Sequence, residues 1–192
     1  MKTIMIAVVC VSILAVSING EDAVSIGESK ELVIENNILV PVPVADWDWY
    51  AGQKLENKGI QISTFICKSA DEQSAFNLVV FHDKLKEDKE KFAKGLLQGA
   101  ANSAKKSGYQ LTESKTKAAK IPWPGSIEYT AVLSQPDGKI HLKGFIAFGR
   151  GIYALQYSGK KEAPAYLDKV AKGMRNLATK PRQIIDSEPK RD

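Results

Sequence analysis

The chain has 192 residues, of which 44% are hydrophobic and 26% are charged, and its formal net charge is +5. This share of apolar residues excludes a chain that is disordered throughout. Fourteen glycines, eight prolines and two cysteines also exclude a collagen-like chain and a disulfide framework. A chain of this length fits one domain, which would bury about 70% of the surface of its unfolded form.

The N-terminal residues have the pattern of a secretory signal peptide. Lys2 precedes an apolar run from Ile4 to Ile18 that only two serines interrupt, and small residues suited to cleavage lie near Ser17 and at Gly20. The run of 15 residues is shorter than a membrane-spanning helix, which needs about 20 apolar residues. We therefore predict cleavage of residues 1–20, export to the periplasm or the extracellular space, and a mature chain that does not span a membrane.

Cys67 is the only cysteine that remains after residues 1–20 are removed, so the mature chain cannot form an intramolecular disulfide. It ends the motif Phe65-Ile66-Cys67, which is typical of a strand packed on both faces, where cysteine behaves as a small hydrophobe. The alternative is a nucleophilic thiol that forms a dyad with His82, which requires the two side chains to lie within hydrogen-bond distance. We expect Cys67 to be buried and inert.

Charge is divided unevenly along the chain. Residues 21–56 carry eight acidic side chains against two lysines, a net charge of −6, whereas residues 57–192 carry 24 basic and 14 acidic groups, a net charge of +10. The chain has 23 lysines but only four arginines, and recognition of bases and phosphates relies on the arginine fork. We therefore predict a solvated, lysine-rich surface and no nucleic-acid partner. An acidic N-terminal segment, residues 21–45, that folds back onto the basic body is a further hypothesis.

The first predicted elements are strands. The apolar segment from Val33 to Val44 contains two prolines, so it can pair only at a sheet edge or run extended. Trp47 and Trp49 then alternate with Asp46 and Asp48, the period of two that is typical of a half-buried strand with its acids in solvent.

A long helix is predicted from Glu87 to Lys106, after strands at Ile60–Cys67 and Ala75–Phe81. Its apolar residues recur at helical spacing, with lysines on the other side, and Gly108 is expected to end it. Small residues recur along the helix at Gly95, Gly99 and Ser103. Because glycine disfavours a helix interior, we expect this stripe to allow a close approach of the helix to a sheet.

The second half of the chain predicts a strand from Tyr109 to Ala118 and then a three-strand meander. The strands of the meander are expected at residues 126–133, Ile140–Phe148 and Ile152–Tyr157. A terminal helix is predicted to start at Pro164 and to end near Ala178, followed by a polar tail at residues 179–192.

Trp123 is the first of three candidate binding residues, because Pro122 and Pro124 stiffen its loop and would hold the ring at low entropic cost. The alternative is that Trp123 caps the core. Trp47 and Trp49 are the other two candidates.

Together these elements predict an α+β domain at residues 46–178, with an antiparallel sheet of about six strands flanked by helices. The order of the elements resembles the PsbP-like fold, an α/β/α sandwich, over residues 40–178. The residues that carry the resemblance are Pro41-Val42-Pro43 before Trp47, the loop Ile121-Pro122-Trp123-Pro124-Gly125 before the strand of Tyr129, and the stretch from Leu155 through Pro164 to Leu177.

The PsbP-like fold also includes the Ran guanine-nucleotide release factor family and the exported DcrB-type bacterial proteins. The resemblance implies a non-enzymatic accessory protein that binds or helps to assemble a larger partner. It implies no particular binding residues, because the chain has no matching motif, and binding to Ran is incompatible with export.

Motifs for catalysis or metal binding are absent from the sequence. His82 and His141 have no second ligand at helical or loop spacing, and Gly149 and Gly151 lack the third glycine and the helix of a dinucleotide site. We therefore predict no enzymatic activity, no cofactor and no metal site.

The leading hypothesis is an exported domain that binds an unknown protein or envelope component. The alternative is a carrier that holds a small apolar ligand between the sheet and the helix at Glu87–Lys106, and a thiol enzyme ranks third. An enclosed apolar cavity would favour the carrier, whereas a filled interior with an exposed Trp123 would favour the binding domain.

Overall fold

The computed structural model describes residues 31–34, 38–43, 46–57, 59–69, 75–83, 85 and 87–176. The predicted signal peptide and the predicted C-terminal tail lie outside these residues. The helices are α1 (Lys89–Lys105) and α2 (Ala165–Gly173), and the strands are β1 (Glu31–Ile34), β2 (Ile38–Pro41), β3 (Trp47–Asn57), β4 (Ile60–Ser69), β5 (Ala75–Phe81), β6 (Gln110–Ala118), β7 (Ile127–Gln135), β8 (Gly138–Phe148), β9 (Ile152–Gly159) and β10 (Arg175–Asn176).

The main sheet has seven strands in the order β3-β4-β5-β9-β8-β7-β6, all paired with antiparallel neighbours. It consists of two antiparallel meanders, β3 to β5 and β6 to β9, which are joined where β5 pairs with β9 and Leu78 lies opposite Leu155. The predicted α+β class and the predicted meander are confirmed. The sheet is larger than the six strands expected, because both meanders share one continuous ladder.

Helix α1 covers one face of the sheet. Asp88 caps its N-terminus, where Oδ1 accepts a hydrogen bond from the Lys91 amide at 3.0 Å. The Phe92 ring packs edge-on against Phe81 and Phe148, at centroid distances of 5.5 and 6.3 Å. Gly108 follows the helix in the left-handed conformation, with φ of 82°, so the predicted stop is confirmed.

The close approach of α1 to the sheet that was expected at the small residues is wrong at Gly95. Gly95 is exposed, and a Cβ atom built on it would meet nothing within 4 Å. The buried face is instead formed by larger residues, namely Phe92, Ala93, Leu96, Leu97 and Ala101. A helix packs through the side that buries most apolar area, and Gly95 lies outside this side, whereas Gly99 is half-buried.

The opposite face of the main sheet is covered by α2 and by a small three-stranded sheet in the order β1-β2-β10. The predicted extended segment therefore forms a hairpin, with Val33 opposite Leu39. Leu32, Ile34 and Val40 are buried in the shared core, so the packed unit begins before residue 46. Apolar burial, pairing of β2 with β10 and an exposed ion pair of Glu31 with Arg175 at 3.2 Å all contribute to holding this hairpin in place.

The terminal helix is shorter than predicted. Helix α2 ends at Gly173, and Met174 adopts an extended conformation with φ of −60° and ψ of 128°. The next two residues form β10, in which Arg175 lies opposite Leu39. Pairing with β2 satisfies backbone groups that a longer helix would have satisfied internally, and Leu177 and Ala178 lie outside the described residues.

We expect Gly95→Ala to raise the free energy of unfolding by up to about 1 kcal/mol, because alanine favours a helix interior over glycine and the site has room for a methyl group. Urea denaturation of the variant and the parent chain measures the difference. Gly144→Ala is the matched control: its Cβ would overlap the ring of Tyr129, so this variant should be less stable than the parent. A loss of stability on Gly95→Ala would show that the exposed stripe is packed against something.

We expect Leu32→Ala to lower the free energy of unfolding by about 2–5 kcal/mol, because it leaves a cavity beneath the hairpin. Arg175→Ala removes only an exposed ion pair and should cost less than about 1 kcal/mol. Denaturation at low and high salt measures both effects. A larger loss for Arg175→Ala, or a hairpin released to proteolysis by salt alone, would mean that charge rather than apolar burial holds the segment.

Candidate functional site

The three tryptophans predicted as binding residues all lie in the core. The exposed fractions of Trp47, Trp49 and Trp123 are 5%, 3% and 5%. Trp47 stacks on Phe76 at a centroid distance of 5.5 Å, and Trp49 donates a hydrogen bond through Nε1 to the Pro41 carbonyl oxygen at 3.3 Å. These contacts explain the rings as packing residues, and a binding role for them stays a prediction.

Trp123 fastens its proline-flanked loop to the end of α2. Its Nε1 donates a hydrogen bond to the Met174 carbonyl oxygen at 3.0 Å, and its ring lies 5.6 Å from that of Tyr153. Pro122 and Pro124 are exposed on either side. The structure thus favours the core-capping alternative, because a buried indole needs both an apolar surface and a partner for its N–H.

Asp46 and Asp48 are exposed on β3 and its entry, as the alternation with tryptophan predicted. Cys67 is fully buried, also as predicted. Burial raises the pKa of the Cys67 thiol well above its ordinary value, and the charge of Asp48 adds to the rise. The thiol therefore stays protonated, which suits a packing residue and not a nucleophile.

The dyad between Cys67 and His82 does not form. His82 follows β5, and its amide bonds to the Gln61 carbonyl oxygen at 3.0 Å. Cys67 lies six residues further along β4, which corresponds to about 20 Å at the rise of a strand. His82 Nε2 lies instead 2.8 Å from Ser63 Oγ, and this contact ties the end of β5 to β4.

An open, polar area lies on the main sheet beside α2 and is the candidate functional site. It is formed by the face of β6, β7 and β8 that does not pack against α1, and we call it the open face. Strand register places Lys115 beside Thr130 and Thr130 beside Lys143 across these three strands. The side chains that form it are Glu113, Lys115, Lys117, Glu128, Thr130, Val132, His141 and Lys143.

Charged side chains on the open face are linked to one another. The Glu128 carboxylate lies 3.3 Å from Lys117 Nζ through Oε2 and 4.0 Å from Lys143 Nζ through Oε1. Lys143 Nζ also forms an ion pair with Asp168 on α2. Lys143 and Glu128 are mostly buried within this network, whereas Lys117 is exposed. The network therefore places charges of both signs on this face, of which Lys117 is the most exposed.

A groove of about 260 Å³ runs over the open face, between the strands and the segment that leads into α2. Its walls combine acidic, basic and hydroxyl groups with a few apolar side chains. Glu113 and Lys115 line one side, and Glu162 and Ala163 line the other. The groove suits polar or charged groups of a partner better than a purely apolar molecule.

Sequence reasoning did not locate this site. The available signal was β6, where both the odd and the even positions from Thr112 to Lys117 are polar. A strand with one buried face shows alternating apolar and polar residues. The absence of this alternation in β6 indicates a strand on which little else packs. Glu162, which lines the groove, and Asp168, which pairs with Lys143, had no such signal, because their proximity to β7 and β8 depends on the placement of α2.

Among the described residues, no group of three or more His, Cys, Asp or Glu side chains is arranged to hold a metal ion. Neither α1 nor α2 is long and apolar enough to cross a membrane. The chain matches no protein-family model, no curated protein and no solved structure. The site must therefore be interpreted from its own chemistry.

We expect Trp123→Ala to lower the free energy of unfolding by about 3–5 kcal/mol, because it empties the space beside Tyr153 and leaves the Met174 carbonyl oxygen without its donor. Thermal and urea denaturation measure this loss. Pro124→Ala in the same loop is the control, since Pro124 is exposed and should change stability little. An unchanged melting temperature for Trp123→Ala would instead support the binding-anchor hypothesis.

Proposed function

We propose that this chain is an exported, non-enzymatic accessory domain that binds a protein or an envelope component through the open face of β6 to β8. The observation that carries the proposal is that one face of the main sheet is only partly covered. Over part of this face α2 and the small sheet pack against the apolar core, whereas the part formed by β6 to β8 is polar and carries a charged groove. The N-terminal signal-peptide pattern supports export.

The layer arrangement supports a PsbP-like α/β/α sandwich. The main sheet lies between α1 on one side and the layer of α2 with β1, β2 and β10 on the other. Accessory proteins of that fold bind or assemble larger partners, which agrees with the use of a polar surface rather than a buried site.

The carrier alternative is less well supported. It placed a ligand between the sheet and the long helix, and that space is occupied by the rings of Phe81, Phe92 and Phe148 in edge-on contact. An apolar ligand would have to displace these side chains from a packed core, at a cost of several contacts. A partner on the open face requires no such rearrangement.

Photo-crosslinking tests this proposal. A photoreactive amino acid is introduced at Thr130 or Val132 on the open face, and at Gln98 or Asn102 on the solvent side of α1 as matched controls. Irradiation of cells that produce the full chain should yield discrete crosslinked species from the open-face positions and not from the α1 positions. The binding contacts are local, so only a reporter on the contacting surface lies close enough to react.

The reverse pattern would overturn the proposal. Equal crosslinking from both surfaces would indicate random collisions, and crosslinks from α1 alone would place the partner on the other side of the sheet. Loss of all crosslinks when the signal segment is intact and the protein is exported would mean that the open face has no stable partner.

A further inference from the structure

Strand β6 forms one end of the main sheet. Among the described residues, β7 is its only neighbour, and its outer edge pairs with no other strand. After a shift of register between Leu111 and Glu113, pairing with β7 is regular up to Ala118. The outward backbone groups of such an edge form a template on which an extended chain can add as a new strand.

The surroundings of this edge are strongly basic. Residues 105–120 contain five lysines and one glutamate, a net charge of +4. All five lysines are exposed, and Lys117 retains 69% of its side-chain surface although it pairs with Glu128. The lysines are Lys105, Lys106, Lys115, Lys117 and Lys120.

The other end of the sheet is built differently. Strand β3 has its register broken in the middle, between Ala51 and Lys54. Its exposed charges are mainly acidic, at Asp46, Asp48 and Glu56. A bulge bends a strand and interrupts its edge. In β6 the shift lies near the N-terminal end and leaves Glu113–Ala118 regular, and this stretch is dominated by basic charge.

We propose that β6 binds an acidic, extended segment of a partner protein as an additional strand of the main sheet. This inference rests on the proposed function and names the class of partner. The backbone of β6 supplies hydrogen bonds, and the lysines select carboxylates. A symmetric dimer through β6 is disfavoured, because β6 against β6 would bring together two surfaces of net charge +4.

The spacing of the lysines sets the pattern expected in the partner. Lys115 and Lys117 are two residues apart, so both side chains stand on the open face. An added strand with carboxylates at every second residue would place them opposite these lysines, where charged cross-strand pairs stabilise a sheet. The Glu113 end of β6 would repel a carboxylate, so the acidic positions should cluster opposite the C-terminal half of β6.

The same lysines could have a second role, which is to protect the edge of β6 against aggregation. Lysine on an edge strand discourages unspecific pairing with other sheets. Protection predicts that no strand binds, whereas docking predicts that an acidic strand binds and a basic one does not. The two roles are therefore separated by measurement.

The test uses a fluorescent peptide of about nine residues, the length of β6, with glutamate at alternate positions and threonine or valine between them. Fluorescence anisotropy with the full chain should show saturable binding that weakens with salt. A peptide with lysine in place of glutamate should not bind. The double variant Lys115→Gln/Lys117→Gln should weaken binding by about tenfold or more, because two facing charges are lost.

Lys91→Gln/Lys94→Gln is the matched control, since it removes the same charge from exposed positions on α1. This variant should change affinity less than about twofold, as expected for charges remote from the site. Equal weakening by both double variants would show unspecific attraction to a basic protein and would overturn the proposal. A lack of binding by the acidic peptide would leave the lysines with protection alone and would also overturn it.

Backbone pairing is tested with two further peptides that carry N-methyl groups at the odd or at the even residues. Strand addition uses the amides of one parity only, so one of these peptides should lose binding and the other should retain it. Equal affinity of both methylated peptides and the parent would exclude an added strand. A dimer of the full chain in analytical ultracentrifugation that blocks peptide binding would assign the edge to a second copy instead.

Failure here is distinguishable from failure of the proposed function. If the open-face crosslinks persist while the acidic peptide does not bind, only the proposal that β6 binds an acidic strand is overturned. If the peptide binds as expected while the face yields no crosslinks in cells, the edge is competent but the physiological partner lies elsewhere, and the proposed function falls.

Discussion

The pairing of β5 with β9 is the interaction on which the rest of the structure depends. It is the only ladder between the two meanders of the main sheet in the described residues, and it sets Leu78 opposite Leu155 and Val80 opposite Tyr153. Their side chains are buried on the face of α2 and the small sheet, and the alternate residues Val79 and Ala154 are buried on the face of α1. An unmade backbone bond there would therefore carry the full cost of desolvation. A slip by one residue would also exchange the two apolar faces.

Away from this centre, the helices and the small sheet cover the two faces of the main sheet to different extents. Helix α1 packs over the second meander on one face, whereas α2 and the small sheet cover the first meander and the centre on the other. The remaining area is the open face and the free edge of β6. Both surfaces proposed for binding are therefore consequences of one arrangement, in which two covering layers are displaced relative to each other across the sheet.

Much of the fold could be predicted from the chain because its signals are local. Alternation at Trp47 and Trp49, the helical period around Phe92 and the glycine at position 108 all act within a few residues. The small sheet had no comparable signal: β10 has two residues, and its pairing with Leu39 crosses most of the chain. The side of α1 that packs, with Phe92 and Leu96, was predicted correctly, but the close approach expected at Gly95 was wrong, because a glycine in a helix does not indicate which side has a neighbour.

The candidate site was the least predictable part. The prolines on either side of Trp123 left open whether its ring anchors a partner or caps the core, and the choice depends on Met174, which lies far along the chain. The groove similarly requires Glu162, which precedes α2, to line the same space as Lys115 on β6. By itself, the sequence determined the class of fold, most strand and helix positions, and the division of charge, since these follow from patterns of neighbouring residues. The tertiary structure alone decided which residues are buried, which face stays open and which edge is free, because these properties depend on contacts between distant segments.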